Sequence, residues 1–202
     1  MTSFYLAIEG SDGAGKTTVA AHLERLLEEQ GATVCVVREP GSTSLGEDIR
    51  RLLLHSSDMT PWAEAMLFAA QRAQLVAEVV GPALQRGEVV ISDRSFYSSL
   101  AYQGVARDLG IEDVRRINLA AVAGVVPDLV VILTVDPHQA LARQSDPDRI
   151  GREGRGFQEQ VAAAYETLAE LEPDRVVLVE AGHHPEEVAA KILAMIGGGR
   201  HG

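Results

Sequence analysis

Five short apolar runs punctuate the chain: Phe4–Glu9, Thr33–Arg38, Glu88–Asp93, Leu129–Val135 and Arg175–Glu180. Each is close to continuous in Val, Ile and Leu rather than alternating with polar residues. That is the pattern of strands buried on both faces of a parallel sheet. Between them the apolar positions fall at helical spacing, as in Thr18–Leu27. Thr60-Pro61, Asp136-Pro137 and His184-Pro185 each put proline at a first helical position, and Glu186 and Glu187 add negative charge to a first turn. The alternation of strand and helix predicts an α/β fold with three layers (α/β/α), a five-stranded parallel sheet and right-handed crossovers. One stretch breaks the pattern. Gln144–Gly156, QSDPDRIGREGRG, is charged, Gly-rich and not amphipathic. It reads either as a disordered surface loop or as a mobile lid.

The first interval between strand and helix carries chemistry. Gly10-Ser11-Asp12-Gly13-Ala14-Gly15-Lys16-Thr17 fits the phosphate-loop pattern G-x-x-x-x-G-K-[ST] at every fixed position. Glycines let backbone N–H groups turn inward around a polyphosphate, Lys16 adds a mobile positive charge, and the Thr17 hydroxyl can ligate Mg²⁺. The loop follows a predicted strand and opens a predicted helix, so phosphates, with Thr18 next in the chain, meet the positive end of a helix dipole. This order predicts the P-loop NTPase fold, with nucleoside triphosphate as the expected ligand.

Composition narrows the partners. At 202 residues the chain predicts a single domain, 1–202, with no internal repeat. A net charge of −11 argues against non-specific nucleic-acid binding and against an anionic membrane surface. An acidic chain that handles anions must gather its arginines locally. Cys35, the single cysteine, lies in an apolar run and reads as a core thiol; it fits a reducing compartment. No leader segment precedes the phosphate loop and no apolar run approaches membrane-spanning length, so a cytoplasmic protein is expected. The six histidines are scattered, without metal-ligand spacing.

In open α/β sheets ligands bind beyond the carboxyl ends of the strands. That rule collects the phosphate loop, Arg38-Glu39-Pro40-Gly41 after the second strand and Asp93-Arg94 after the third. Asp93 can reach a metal or its water shell, and Arg94 can bind a second anion bidentately. Ser95, Ser98, Ser99 and Tyr102 then form a helical stripe drawn in polar residues. A solvated face would favour Lys and Glu, so the stripe is read as facing a ligand. Phe68 and Arg72, at i and i+4, share a helical face. A flat ring and a planar five-donor group can read a nucleobase, although by spacing alone a core Phe and a surface Arg are the commoner outcome. Arginines at two strand ends and in one Gly-rich loop favour a phosphate, rather than a hydroxyl, as the acceptor.

The segments IEGSDGAGKTT, REPGSTSLGEDIR, AEAMLFAAQRAQ, PALQRGEVVISDRSFYSSLAYQG, PDLVVILTV and DPDRIGREGRGFQEQVAAAYETLAE resemble, over nearly the whole chain, the bacterial thymidylate kinases. The resemblance implies transfer of a phosphoryl group from ATP to dTMP with Mg²⁺, in a homodimer. It implies that Gly10 through Thr18, Lys16 above all, hold the ATP phosphates and that Thr17 and Asp93 serve the metal. Acceptor-binding segments would span 38–72 and 93–104. Within them Arg38 and Arg94 would bind the dTMP phosphate, Phe68 would stack on thymine and Arg72 would donate to its O4. Ser99 and Gln103 would add base contacts, Tyr102 would lie against the sugar, and Asp12 would hold the 3′-hydroxyl. Family members place a catalytic arginine either inside the phosphate loop or in the lid. Gly13 occupies the loop position, which implies the lid type, with a lid at about 143–156 and Arg149, then Arg152, as catalytic candidates and Arg155 as a third. Ser42 departs from the usual REPGG, and Gly151 stands where a glutamate commonly follows D-R-x.

Two rival functions share parts of this pattern. A deoxynucleoside kinase also has a phosphate loop, an E-P after the second strand and an arginine-serine pair after the third; Glu39 would then be a base for a sugar hydroxyl. Arg38 and the F-A-A-x-R and AYQG segments argue against it. A nucleotide-dependent switch ATPase would not need residues that read a nucleoside.

Overall fold

The computed structural model describes residues 3–56, 58–135, 148–181 and 184–198. Five strands, β1 (Phe4–Gly10), β2 (Val34–Arg38), β3 (Val89–Asp93), β4 (Leu129–Thr134) and β5 (Val176–Glu180), form one parallel sheet in the order β2-β3-β1-β4-β5. All five predicted strands are present, each within a residue or so of its expected bounds. Burial follows sheet position. The central β1, β3 and β4 are buried nearly throughout, while the edge strands β2 and β5 mix buried, partly buried and exposed positions. Cys35 lies on edge strand β2 and is only partly buried, so it packs at the rim of the core rather than within it.

Alternate residues of β1 feed opposite faces of the sheet. Leu6 and Ile8 join Leu23 and Leu27 of α1 (Lys16–Glu29) and Ile192 and Ile196 of the last helix, Pro185–Gly198. Tyr5 and Ala7 point the other way. There they meet Leu53 of α2 (Ser44–His55), Leu75 of α3 (Pro61–Leu75), Leu100 and Val161. These are the outer layers of the three-layer arrangement. Thr60 caps α3 ahead of Pro61, as the sequence predicts.

Two helices widen locally. After α3 the chain passes through a π-type segment, Val76–Val80, before α4 (Gly81–Gln85). Pro82 cannot donate a helical N–H, and the irregularity sits just ahead of it. After α5 (Phe96–Ser99) a second wide segment runs over Leu100–Ala106, which holds Tyr102 and Gln103. Then follow α6 (Ile111–Val122), a single tight turn at Gly151–Glu153, α7 (Arg155–Leu171) and α8 (Pro185–Gly198). The predicted helix start at Asp136-Pro137, the lid residues Gln144–Pro147, Arg143 and His183 lie outside the described residues.

Candidate functional site

The carboxyl ends of the parallel strands meet where the ligand rule for open α/β sheets places a site. Arg38 pairs in register with Asp93, and Asp93 with Ile8, so β2, β3 and β1 deliver their termini side by side. β1 turns at Gly10, where φ is 133° and an added Cβ would stand 2.6 Å from the Leu133 carbonyl oxygen; only glycine fits. Gly15, in a left-handed conformation, then begins α1. The loop wraps the buried Lys16 ammonium, which donates to the Gly10 and Ser11 carbonyls at 3.1 and 2.9 Å. Burial, and next the Arg94 charge, push its pKa down to about 8. At the rim, Thr17 Oγ1 donates to Asp93 Oδ2 at 2.6 Å.

Arg94 sits where the loops converge. Its Nη1 donates to the Gly10 carbonyl at 3.2 Å and to Ser98 Oγ at 3.1 Å, and its Nη2 pairs with Asp12. The guanidinium lies 5.3 Å from the centre of the Tyr102 ring. Burial alone would raise the Asp12 pKa, but the Arg94 and Lys16 charges outweigh it and hold the carboxyl below its usual range.

Two cavities open here and share Asp12, Glu39, Arg50 and Arg94. One follows the phosphate loop and is further lined by Gly13, Gly15, Lys16, Thr17, Thr18, Arg38 and Asp93. The other runs between helices and is lined by Pro40, Leu54, Phe68, Ser98, Ser99, Tyr102, Gln103, Asp148 and Ile150. A polyanion site and a mixed apolar-polar slot thus touch at two carboxylates, Asp12 and Glu39, and two arginines, Arg50 and Arg94. A model of the thymidylate kinase family matches residues 8–192 of the chain. The chain belongs to the thymidylate kinase family. Thymidylate kinases from Synechococcus sp. (strain JA-3-3Ab) and Leifsonia xyli subsp. xyli are similar to it at 43% and 46% identity, covering 95% and 96% of this chain and 94% of each relative. The crystal structure of thymidylate kinase from Ehrlichia chaffeensis superposes with a TM-score of 0.82 at 25% identity, over 97% of this chain and 100% of that one.

Against this family pattern, most residues singled out from the sequence converge on the two cavities, and some sit differently. Lys16, Thr17, Thr18, Arg38, Asp93 and Arg94 surround the phosphate cavity, and Phe68, Ser99, Tyr102 and Gln103 the second. The polar stripe divides its work. Ser98, Ser99 and Tyr102 line the cavity, whereas Ser95 turns inward and both its N–H and its hydroxyl donate to Glu9 at 2.7 Å. Arg72 is buried behind the second cavity rather than on its wall. Its Nε donates to Glu39 at 2.6 Å, its Nη1 to Ser99 at 3.3 Å and to Asn118, and its Nη2 to the Ser95 carbonyl at 3.1 Å.

The lid arginines sit apart from both cavities. The Arg149 guanidinium turns away from the phosphate loop; its Nε donates to the Leu53 carbonyl at 2.9 Å and its Nη2 lies 2.7 Å from Glu64. Arg152 is exposed, and Arg155 pairs with Glu159 on the surface at 2.7 Å. None of the three lines either cavity.

The departures from the family pattern have local accounts. Ser42 adopts φ 63°, the conformation a glycine would take there, and its hydroxyl accepts from the Arg38 N–H at 2.8 Å and donates to the Arg38 carbonyl at 3.2 Å. Gly151 donates its N–H to Asp148 at 2.9 Å, closing a tight turn without a side chain. Sequence reasoning passed over Arg50, which lines both cavities and donates to the Pro40 carbonyl at 2.8 Å. It also passed over Glu9, buried in β1, which accepts from Ser95, Ser98 and Tyr165. The signal for Glu9 was a carboxylate inside an apolar strand; Arg50 had none beyond its place in REPGSTSLGEDIR.

Proposed function

We propose that the protein transfers the γ-phosphoryl group of ATP to dTMP, giving ADP and dTDP for DNA precursor synthesis. Membership of the thymidylate kinase family supports the reaction, and one geometric observation carries the reading: the two cavities meet at Asp12, Glu39, Arg50 and Arg94. A phosphoryl donor in one and a phosphate acceptor in the other would approach at those arginines. The acceptor is a phosphate monoester with a second pKa of about 6, so it is largely dianionic at neutral pH and needs no general base. Catalysis then reduces to alignment and charge neutralisation. Lys16 would hold the β- and γ-phosphates. Arg38, Arg50 and Arg94 would receive the acceptor phosphate. Arg152, exposed on the lid turn, is the lid arginine we assign to the transferring group, since Gly13 offers no side chain there.

Thr17 and Asp93 suit Mg²⁺: two oxygen donors 2.6 Å apart, on the phosphate cavity, matching an ion that takes few protein ligands beside phosphates and water. When bound, the ion would neutralise charge on the donor phosphates. Phe68 would stack on thymine, with Ser99 and Gln103 toward its edge and Tyr102 against the sugar. Arg72 lies behind Ser99, and donation to O4 would require its Nη1 to exchange Ser99 for the base. A homodimer and a cytoplasmic site of action complete the proposal; among the described residues no helix is long and apolar enough to cross a membrane.

The test is ADP release measured across the nucleoside monophosphates, with thymidine in parallel. dTMP is expected to be the best acceptor and thymidine inert. Turnover with thymidine alone would instead assign Glu39 as the base of a nucleoside kinase. ADP release independent of any acceptor would indicate a switch ATPase.

A further inference from the structure

One buried carboxylate stands outside this scheme. Glu64, near the start of α3, is 0% exposed. A carboxylate withdrawn from water persists where it is paired and hydrogen-bonded. Its Oε1 accepts from Gln103 Nε2 at 2.8 Å and from Arg107 Nε at 3.3 Å. Its Oε2 accepts from Arg107 Nη2 at 3.2 Å and faces Arg149 Nη2 at 2.7 Å. Arg107 in turn pairs with Glu153 at 2.6 Å. Two carboxylates and two guanidinium groups balance, and the cluster joins α3, the wide helix after α5 and the lid turn.

Two consequences reach the cavity. Gln103 lines it, and a carboxylate only accepts hydrogen bonds, so one N–H of the Gln103 amide is committed to Glu64 and the orientation of the amide is fixed. Its carbonyl oxygen is thereby kept as an acceptor for a ligand. A fixed acceptor suits a ring N–H, such as N3–H of thymine or uracil, and opposes the lone pair at N3 of cytosine. Arg149 is pinned as well, by Glu64, by the Leu53 carbonyl and, through its own N–H, by the Leu54 carbonyl at 3.2 Å. Its neighbours Asp148 and Ile150 line the same cavity.

We propose that Glu64 is a positioning residue that couples base selection to the seating of the lid turn: one carboxylate orients Gln103 and anchors Arg149. The proposal rests on the nucleoside reading of this cavity. It gives Arg149 the role of an anchor rather than a group on the reacting phosphates.

The experiment compares Glu64→Gln with the unmodified full-length enzyme. A neutral amide can satisfy only part of the cluster and lets Gln103 turn over. The ratio of kcat/KM for dTMP over dCMP is expected to fall by about tenfold or more, the size of one misplaced buried hydrogen bond. The KM for ATP should stay within about twofold, because no contact to the phosphate loop is lost. Trypsin cleavage at the exposed Arg152 and Arg155 should quicken and no longer be slowed by dTMP. Should Glu64→Gln fail to fold, Arg149→Met carries the test. It leaves the Gln103–Glu64 bond intact, so cleavage at Arg152 and Arg155 should quicken while the dTMP/dCMP ratio holds. A hundredfold fall in kcat for Arg149→Met with trypsin protection unchanged would overturn the proposal, as would Glu64→Gln that keeps both ratio and protection. An unmodified enzyme that does not use dTMP would sink the functional reading along with it.

Discussion

At the scale of single residues, Ser42 shows how a side chain can substitute for conformational freedom. Its left-handed backbone costs roughly 1–2 kcal/mol relative to glycine. Its hydroxyl returns part of that by bonding both the N–H and the carbonyl of Arg38, the residue that lines the phosphate cavity. Next to it, Gly41 has no such option: φ is 140° and a Cβ would meet Glu47 Oε1 at 2.5 Å. The two substitutions at Ser42 should therefore diverge. Ser42→Gly loses the hydrogen bonds but sheds the strain, and its stability should stay within about 1 kcal/mol of the parent. Ser42→Ala keeps the strain and loses the bonds, and should be less stable than Ser42→Gly by about 1 kcal/mol or more. Urea unfolding midpoints of the two variants decide it; equal midpoints would mean that the hydroxyl, not the backbone, governs this turn.

At the scale of elements, Arg72 works as a joint. From α3 it holds Glu39 at the end of β2, the Ser95 carbonyl after β3, Ser99 in α5 and Asn118 in α6. Glu39 is buried, and desolvation raises its pKa against the pull of Arg72. Removing the guanidinium would strand that carboxylate. Arg72→Ala is expected to destabilise the fold by about 3–5 kcal/mol, the cost of breaking a buried pair, besides any loss of base recognition. A denaturation midpoint close to the parent's would move Arg72 from the joint to the cavity wall. This explains how far the sequence could be read. Strands and the phosphate loop were legible because their signals are local: continuous apolar runs, glycines at fixed offsets, a lysine before a threonine. The strand-end rule likewise brought Arg38, Asp93 and Arg94 together. The i, i+4 pairing of Phe68 and Arg72 was also correct as geometry, but spacing cannot tell a cavity wall from the layer behind it. The surroundings of Arg149 were illegible for the same kind of reason. A charge in a Gly-rich segment looks available to a ligand, and only the fold brings Glu64 and the open carbonyls at the end of α2 within its reach.

At the scale of the whole molecule, an acidic chain concentrates Arg38, Arg50 and Arg94 at the carboxyl ends of the strands and leaves apolar side chains exposed on another surface. Leu45 and Leu52 of α2, Trp62 and Met66 of α3 and Leu119 of α6 are each between 41% and 52% exposed, and α3 packs against both α2 and α6. Exposed leucines scattered singly need no explanation, but five large side chains on three neighbouring helices suit a contact surface. Covering the exposed half of one such side chain is worth roughly 1 kcal/mol. A second copy of the chain is the occupant we expect, because face-to-face packing of the same helices satisfies both copies at once. Light scattering at micromolar concentration should then give twice the 21.6 kDa chain mass. Leu52→Glu combined with Met66→Lys should shift the mass to that of one chain, with circular dichroism unchanged. Both sites are about half exposed in the single chain and neither belongs to the buried core. A parent protein that is already monomeric under these conditions would remove the second copy and leave the surface to another partner. The consequence for the site follows from connectivity. α2 ends in the carbonyls that receive Arg149, and α3 carries Glu64, Phe68 and Arg72, so the helices that would form the interface are the ones that frame the nucleoside cavity. A monomeric variant should therefore lose dTMP affinity before it loses ATP affinity, and the two KM values measured on the same preparation separate that outcome from a general loss of fold.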